Sequence, residues 1–296
     1  MEESKFIDKD KKYEKKGKSQ LKGVWTRLKK DKLALIGLVI LIILILMAIF
    51  ANFIAPYEYD TQNLKNTFQS PSLKHLFGTD EFGRDIFSRI VYGSRISLQV
   101  GVIAVGIAVV IGGFLGAVAG YYSGKIDNVI MRIMDVLLSI PQMLLAISIV
   151  AALGNSLINL MVAVGVSSIP QYARIVRASV ISIKNQEFVE SARAIGSSDL
   201  RIIFKHVIPN CLAPVIVQAT LGIGLAILTA AGLSFIGLGI KPPTPEWGAM
   251  LSGSRTYIRD YTYMTLFPGI AIVITIFAFN VLGDGLRDAL DPKLKQ

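Results

Sequence analysis

The stretch LALIGLVILIILILMAIFANFIA, residues 33–55, runs for 23 residues without a charge. A helix needs about 20 apolar residues to cross a bilayer, so this stretch is long enough for one crossing. It exceeds the apolar core of a signal peptide, and no small-residue cleavage pattern follows it. We therefore interpret residues 33–55 as an uncleaved first transmembrane helix.

The rest of the chain repeats this pattern. The sequence has 296 residues, 52% hydrophobic and 18% charged, whereas soluble domains carry about 25% charged residues. Its mean hydropathy is +0.54. Further charge-free stretches cover residues 96–124, 136–173 with a break at Gly154-Asn155, 207–240 and 261–283. Together they predict an all-α, polytopic membrane protein with six transmembrane helices.

The distribution of Lys and Arg predicts the orientation. The net charge is +10, and 12 basic residues against 6 acidic ones fall within residues 1–32. Basic residues that flank apolar spans mark the cytoplasmic side of a membrane. We therefore expect these residues to contact membrane lipid and to bind no nucleic acid. Six spans then place both termini in the cytoplasm. The predicted regions are a basic tail (1–32), the first helix (33–55), an extracytoplasmic loop (56–95), a permease core (96–287) containing a cytoplasmic loop (174–210), and a C-terminal tail (288–296).

The sequence offers little for chemistry within the membrane. The central portions of the spans hold no ionisable residue, which argues against a proton-coupled carrier and an intramembrane hydrolase; sodium coupling through backbone carbonyls stays open. The lone Cys211 and two distant histidines exclude an intrachain disulfide and a zinc scaffold. AGYYSGKI, residues 119–126, departs from a phosphate-binding loop at its first glycine and at its hydroxyl position. We predict no enzymatic activity and no cofactor on this chain; if ATP drives it, another chain binds the ATP.

The most informative stretch is NQEFVESARAIGSSDLRIIFKHVIP, residues 185–209. Between residues 186 and 195 apolar residues recur at helical spacing, with charged residues on the other side. This pattern predicts a short amphipathic helix in which Glu190 and Arg193 are spaced to pair. The apolar positions are Phe188, Val189, Ala192 and Ile195, and the charged ones are Glu187, Glu190 and Arg193.

The residues after this helix predict a turn and a second helix. Gly196 is suited to the positive φ that ends a helix, and Ser197 or Ser198 is placed to cap a helix beginning near Asp199. Pro209 joins this unit to the fifth span. From the residues alone, the amphipathic helix either rests among lipid headgroups or docks onto a soluble partner.

This stretch resembles the EAA motif of ATP-binding-cassette (ABC) importer permeases. Glu190, Ala192, Gly196 and Pro209 stand at the spacing of that motif, whereas Ser191 replaces its second residue. The turn glycine and the closing proline are intact. The segment therefore looks like the coupling loop of these permeases.

Two further stretches narrow the resemblance. FGTDEFGRDIFSRIVYGSRISL (Phe77 to Leu98) and FNVLGDGLRDALDPKL (Phe279 to Leu294) are similar to the C-type permease subunits of dipeptide and oligopeptide importers, with nickel importers as relatives. An apolar span introduced by RLKKDKLALIGL (Arg27 to Leu38) is also typical there. The similarity extends over nearly the whole chain from about Trp25.

The resemblance implies a fold, a cellular location and partners. The fold would be that of type I ABC importer permeases, in a bacterial cell membrane. The partners would be a B-type permease subunit, two cytoplasmic ATPase subunits that hold ATP and Mg²⁺, and an extracytoplasmic solute-binding protein. By the resemblance, the ATPase-coupling residues are Glu187, Glu190, Ser191, Ala192, Arg193, Gly196 and Pro209.

Other features each leave two interpretations open. The charged loop residues Asp80, Glu81, Arg84 and Asp85 either dock the binding protein or pair internally to shape the loop. Gly112, Gly116 and Gly120 indicate either tight helix packing or a substrate groove. Trp247 is expected to be an interfacial anchor. The intramembrane polar residues Gln142, Asn159, Gln218 and Asn280 either line a pathway or bond neighbouring helices.

For function, the resemblance implies the import of di- or oligopeptides. Within the same class, the alternative cargo is nickel or a metal chelate. From a different class, an autonomous secondary carrier or channel is the rival, and an intramembrane enzyme is more remote.

Overall fold

The computed structural model describes residues 23–290, so most of the predicted N-terminal tail and the end of the predicted C-terminal tail lie outside it. Within this range the fold is all-α, as predicted, and the range contains no β-strand. The longer helices are α1 (Lys32–Ile49), α2 (Ile86–Tyr122), α3 (Gly124–Leu138), α4 (Gln142–Leu153), α5 (Leu157–Ile183), α6 (Glu187–Ala194), α7 (Asp199–Phe235), α8 (Trp247–Ser254) and α9 (Tyr263–Leu290).

The apolar helices are compatible with the predicted six spans, although four or five of them meet the length and hydropathy expected of a span. Helices α1, α2, α7 and α9 are long and apolar enough to cross a bilayer, and α3 with α4 forms a fifth, bent candidate. Helix α5 has 27 residues, about 40 Å at the helical rise of 1.5 Å per residue. It is less apolar because Ser167, Ser168 and Gln171 interrupt its hydrophobic run. Counting α5 with the others is compatible with six spans.

Several helices extend beyond the charge-free stretches, because charged residues remain helical where they find partners. Helix α2 begins at Ile86 rather than 96, since the Arg89 guanidinium donates to the Tyr59 carbonyl at 2.9 Å. Helix α5 extends to residue 183 rather than 173, since Arg174 and Arg177 pair with acids on α3. The last two charge-free stretches, 207–240 and 261–283, overlap helices that cover residues 199–235 and 263–290.

The third span is bent, which the charge-free run 136–173 does not reveal. Helices α3 and α4 meet at 88° around Ser139–Pro141. Proline lacks a backbone donor and disfavours helical geometry at the preceding Ile140, so the helix stops there. Helix α4 alone has 12 residues, too few for a bilayer core of about 30 Å.

The glycine stripe of α2 serves tight helix packing, the first of its two predicted roles. A Cβ atom at Gly112 would lie 2.6 Å from the Ile169 carbonyl oxygen, and one at Gly116 would lie 2.3 Å from the Ala173 carbonyl oxygen. Only glycine permits this approach of α2 to α5. These two helices form the centre of the bundle, together with α4 and α7.

The remaining helices surround this centre. Helix α1 packs against α9 and α2, with Leu41 and Leu44 buried beside Ala278 and Phe279. The loop between α1 and α2 folds over the opposite end of the bundle from α6. There Phe77 stacks on Phe267 of α9, with ring centroids 4.0 Å apart.

Trp247 is not an interfacial anchor, so that prediction is wrong. Its side chain is fully buried, and its indole Nε1 donates to the Ile90 carbonyl oxygen at 3.1 Å. A Cβ on Gly93 of α2 would lie 3.1 Å from the indole ring, and one on Gly248 would lie 2.4 Å from Ala231 of α7. Helix α8 thus turns back into the bundle between α2 and α7.

Candidate functional site

The predicted amphipathic helix is present as α6, residues Glu187–Ala194. Val189 is 0% exposed and Ala192 is 4% exposed, so the predicted apolar face is partly buried. The surrounding cluster comes from the ends of α2, α5 and α7, and it contains Ala117, Tyr121, Val176, Val180, Ile202, Ile203 and Val207. Helix α6 is therefore fixed to three helices of the bundle.

Gly196 ends α6 as predicted, with φ of +80°. The Gly196 N–H donates to the Arg193 carbonyl at 3.0 Å, and the Ser197 N–H donates to the Ala192 carbonyl at 3.1 Å. These two bonds are those of a Schellman motif, the helix ending that glycine in the left-handed region favours. The turn between the two helices is thus fixed by its own backbone.

Arg193 connects α6 to α2 rather than pairing with Glu190. Its guanidinium lies over the Tyr121 ring, 5.8 Å from the centroid, and Nη2 donates to the Tyr121 hydroxyl at 3.4 Å. That hydroxyl donates to Asp199 Oδ1 at 2.7 Å. Within residues 23–290 no ion pair joins Glu190 to Arg193, so the predicted pair is wrong. Tyr121, which the sequence did not single out, joins both ends of the turn.

The second helix begins at Asp199, as predicted, but not through a serine cap. Ser198 occupies the N-cap position, but its side chain makes no capping hydrogen bond. The Asp199 side chain accepts from the Tyr121 hydroxyl. The helix passes through a π-helical segment, Ile203–Val207, and continues into the membrane as α7. Pro209 lies in the first turn after this segment, so the unit and α7 form one continuous element.

The outward face of this unit carries an exposed apolar surface. Ile195 is 82% exposed and Leu200 is 63% exposed, so both large apolar side chains are available for contact with a partner. Glu187, Glu190 and Ser191 are exposed beside them. We call the apolar part the loop patch; its members are Phe188, Ile195, Leu200 and Phe204.

An ion pair on the same side joins α3 to α5. Arg177 donates from Nε and Nη2 to the two carboxylate oxygens of Asp127, at 2.5 and 2.6 Å. The Asp127 side chain is 11% exposed. The neighbouring pair of Arg174 and Asp135, at 2.7 Å, is 56% and 48% exposed. Because the pair of Arg177 and Asp127 is bidentate and more buried, we expect it to contribute more to stability than the pair of Arg174 and Asp135.

Replacing Arg177 tests this difference. We expect Arg177→Gln to lower the free energy of unfolding by about 2 kcal/mol, because Asp127 is left buried without its partner. Arg174→Gln is the matched control, expected to cost less than about 1 kcal/mol because its pair is solvated. The measurement is thermal denaturation of the purified protein. Equal effects of the two substitutions would show that the Asp127 pair has no special role.

The charged residues of the outer loop form buried pairs with one another and with the helix start. Asp80 accepts from Arg84 Nε at 2.6 Å, and Asp85 accepts from His75 Nδ1 at 2.9 Å while it caps α2 through the Ser88 N–H. Asp80, Arg84 and Asp85 are each at most 6% exposed. This geometry is that of internal pairing, the second predicted role.

Glu81 is the least buried of the four predicted docking residues. Burial nevertheless raises the pKa of its carboxyl. A docking role for this loop stays a prediction.

Sequence reasoning missed Glu246, a buried acid at the start of α8. Its two carboxylate oxygens accept from the Gly248 and Ala249 N–H groups at 2.9 and 2.8 Å. The residue is 2% exposed, and burial raises the pKa of its carboxyl. An acid two residues before a glycine gives no distinctive signal in the sequence, so nothing pointed to this cap.

Comparison with known sequences gives two family matches and close relatives. Residues 108–296 match a family described as binding-protein-dependent transport system inner membrane component, and residues 19–71 match the N-terminal TM domain of oligopeptide transport permease C. The dipeptide transport system permease protein DppC of Alkalihalophilus pseudofirmus is 53% identical over 269 residues, covering 91% of this chain and 88% of that protein. The glutathione transport system permease protein GsiD of Escherichia coli is 50% identical over 275 residues, covering 92% and 90%.

Comparison with solved structures supports the fold. A chain of the MetNI methionine ABC transporter, in an inward-facing conformation, aligns with a TM-score of 0.57 at 19% identity, covering 69% of this chain and 96% of that one. A chain of an amino acid ABC transporter aligns with a TM-score of 0.52 at 16% identity, covering 68% and 94%. At these identities the likeness concerns the fold alone.

Proposed function

Since this chain belongs to the family of binding-protein-dependent transport system inner membrane components, we propose that it forms one half of the translocation pathway of an ABC importer for short peptides. The chain is an ABC importer permease of the dipeptide and glutathione transport family. In this proposal the other half is a B-type permease subunit. Two cytoplasmic ATPase subunits bind ATP and Mg²⁺, and a solute-binding protein delivers the cargo from outside.

The combination of a rigid turn and an exposed apolar surface supports the coupling role. Residues 184–198 join α5 to α7, and the Gly196 turn and the Arg193–Tyr121 contacts fix them to the bundle. A force on the loop patch is therefore transmitted to two spanning helices. Nucleotide shifts the equilibrium of the spans only if the ATPase contacts this patch differently in its two states.

The two relatives support a peptide cargo. Their names give a dipeptide and glutathione as substrates, and glutathione is itself a small peptide. The proposal places the loop patch in the cytoplasm, on the side that the positive charge of residues 1–32 predicts. The outer loop then faces the binding protein.

Reconstitution tests this function. The purified chain with its partner subunits, in proteoliposomes, should import a radiolabelled dipeptide only when ATP and the loaded binding protein are both present. Uptake by this chain alone down an ion gradient would instead support the autonomous carrier. Uptake of nickel without peptide uptake would support the alternative cargo.

Ile195→Asp tests the loop patch. We expect it to weaken ATPase association by about 30-fold, because it removes about 2 kcal/mol of apolar burial at an interface. The chain should still insert, since Ile195 is 82% exposed and packs little in the free chain. Leu73→Asp is the control, because Leu73 is fully exposed on the opposite loop. Co-purification of the ATPase measures both, and unchanged association of the Ile195 variant would contradict the role of the patch.

A further inference from the structure

A partly open cavity of about 530 Å³ lies between α5, α7 and α9, at the end of the bundle that carries the loop patch. This volume falls within the range of small-molecule sites. Two of its walls, α5 and α7, are the helices that residues 184–198 connect. A displacement of the loop is therefore transmitted to two walls of this cavity.

The α7 wall presents polar groups along one helical face. Asn210, Pro214 and Gln218 are spaced by four residues and all line the cavity. The Asn210 side-chain Nδ2 donates to the His206 carbonyl at 2.7 Å, which leaves its amide oxygen available. Because Pro214 has no N–H, the main-chain carbonyl of Asn210 also lacks its usual helical donor. This wall thus offers acceptors to a ligand that carries N–H groups.

Gln218 supplies a donor as well. Its main-chain carbonyl accepts from the Tyr172 hydroxyl at 3.2 Å, whereas its side-chain amide makes no hydrogen bond within residues 23–290. Polar side chains in spanning helices usually face a partner or a water-filled cavity. Because Gln218 lies on the cavity wall, its side-chain amide is placed to bond to water or to a ligand in the cavity.

The α5 wall adds two hydroxyl groups. Ser179 donates to the Ile175 carbonyl at 3.0 Å, and Ser182 donates to the Ser179 carbonyl at 2.7 Å. Each hydroxyl has thereby used its proton on its own helix, so its oxygen is left as an acceptor. Both serines line the cavity opposite α7.

One charge completes the lining. Among the described residues that form the cavity, the charged one is Arg287 of α9. It forms no ion pair within residues 23–290. Asp284 and Asp288 are on the same helix but do not line the cavity. An unpaired guanidinium beside amide and hydroxyl groups suits a carboxylate attached to a peptide backbone.

We propose that this cavity binds a short peptide during its passage through the transporter. Arg287 binds the terminal carboxylate, and Gln218 and Asn210 bind the peptide backbone. The inference rests on the proposed function for its cargo, and it assigns the place where that cargo meets the helices moved by the loop. Hydrogen bonds to the backbone are common to all peptides, so the site is tolerant of side chains.

Cysteine alkylation tests the site in the assembled transporter. In a Cys211→Ala background, Ala213→Cys is reacted with a charged maleimide in lipid nanodiscs without nucleotide, in the presence of alanyl-alanine or alanyl-alaninamide; Ala213 lines the cavity and is assigned no contact with the peptide. We expect alanyl-alanine to protect the introduced thiol, and the amide to need about tenfold higher concentration because it lacks the charge-assisted bond to Arg287. Adding Arg287→Gln should make the two ligands equal.

A matched control is Asn280→Cys, since Asn280 is an amide residue of α9 that does not line the cavity. Neither ligand should change the rate at which the cysteine at position 280 is alkylated. Absence of protection at 213, equal protection by the acid and the amide, or equal protection at 213 and 280 would overturn the assignment. Dipeptide uptake by the unmodified complex is measured separately. Uptake without protection defeats only this inference, and protection without uptake defeats only the proposed function.

Discussion

Gly196→Pro is expected to reduce ATP-driven uptake to background while the chain still inserts and assembles. The native residue has φ of +80°, whereas proline fixes φ near −65°. Proline also removes the N–H that donates to the Arg193 carbonyl. It disfavours the near-helical conformation of Ile195, whose φ and ψ are −83° and 10°. The turn must therefore refold, and ATP hydrolysis loses its connection to the spans.

The control for this prediction is Gly196→Asn. A Cβ at this position would meet no atom within 4 Å, and asparagine tolerates the left-handed region better than other side chains. We expect it to retain most of the uptake. ATP hydrolysis and dipeptide uptake are measured together in proteoliposomes. Normal uptake by the proline variant would show that the turn does not transmit the movement.

Gly116→Val should have the largest effect on stability. A Cβ at this position would lie 2.3 Å from the Ala173 carbonyl oxygen of α5, so the two central helices must separate. Overpacking of this kind costs about 3 kcal/mol, which lowers the apparent melting temperature by about 10 °C. The backbone of both helices is involved, and no flexible side chain can move aside to accommodate the new atoms.

The same helix provides the control. A Cβ at Gly106 would meet nothing within 4 Å, so Gly106→Val introduces the same side chain at an open site. We expect its melting temperature to stay close to that of the unmodified protein, measured by thermal denaturation in detergent. If both variants melt at the same lower temperature, the cause is the β-branched residue in the helix and not the contact between α2 and α5.

The sequence predicts the features that depend on local pattern. The apolar runs locate the spans, and the spacing of residues 185–209 predicts α6 and the Gly196 turn, because amphipathic periodicity and positive φ are properties of a short segment. The helix ends are less predictable. Arg95 and Arg174 set boundaries in the sequence, yet both lie inside helices, where their guanidinium groups donate to Asn52 and Asp135 of other segments.

The features that the sequence does not predict arise from contacts between distant segments. The return of α8 into the bundle places Trp247 against Ile90, 157 residues away, so an aromatic residue in a loop was mistaken for an interfacial anchor. Arg193 contacts Tyr121, 72 residues away, rather than Glu190. The walls of the cavity likewise come from three separate helices. Such pairings depend on how the helices assemble.

In the proposed transporter, an ATPase subunit contacts the outward face of α6. Ser191 is exposed on that face, so Ser191→Cys is well placed for cross-linking to single cysteines on the ATPase in the complete transporter. We predict efficient cross-linking at this position, with a yield that changes between nucleotide-free and ATP-bound complexes. A complete complex in which no ATPase position cross-links to this residue in either state would contradict the account.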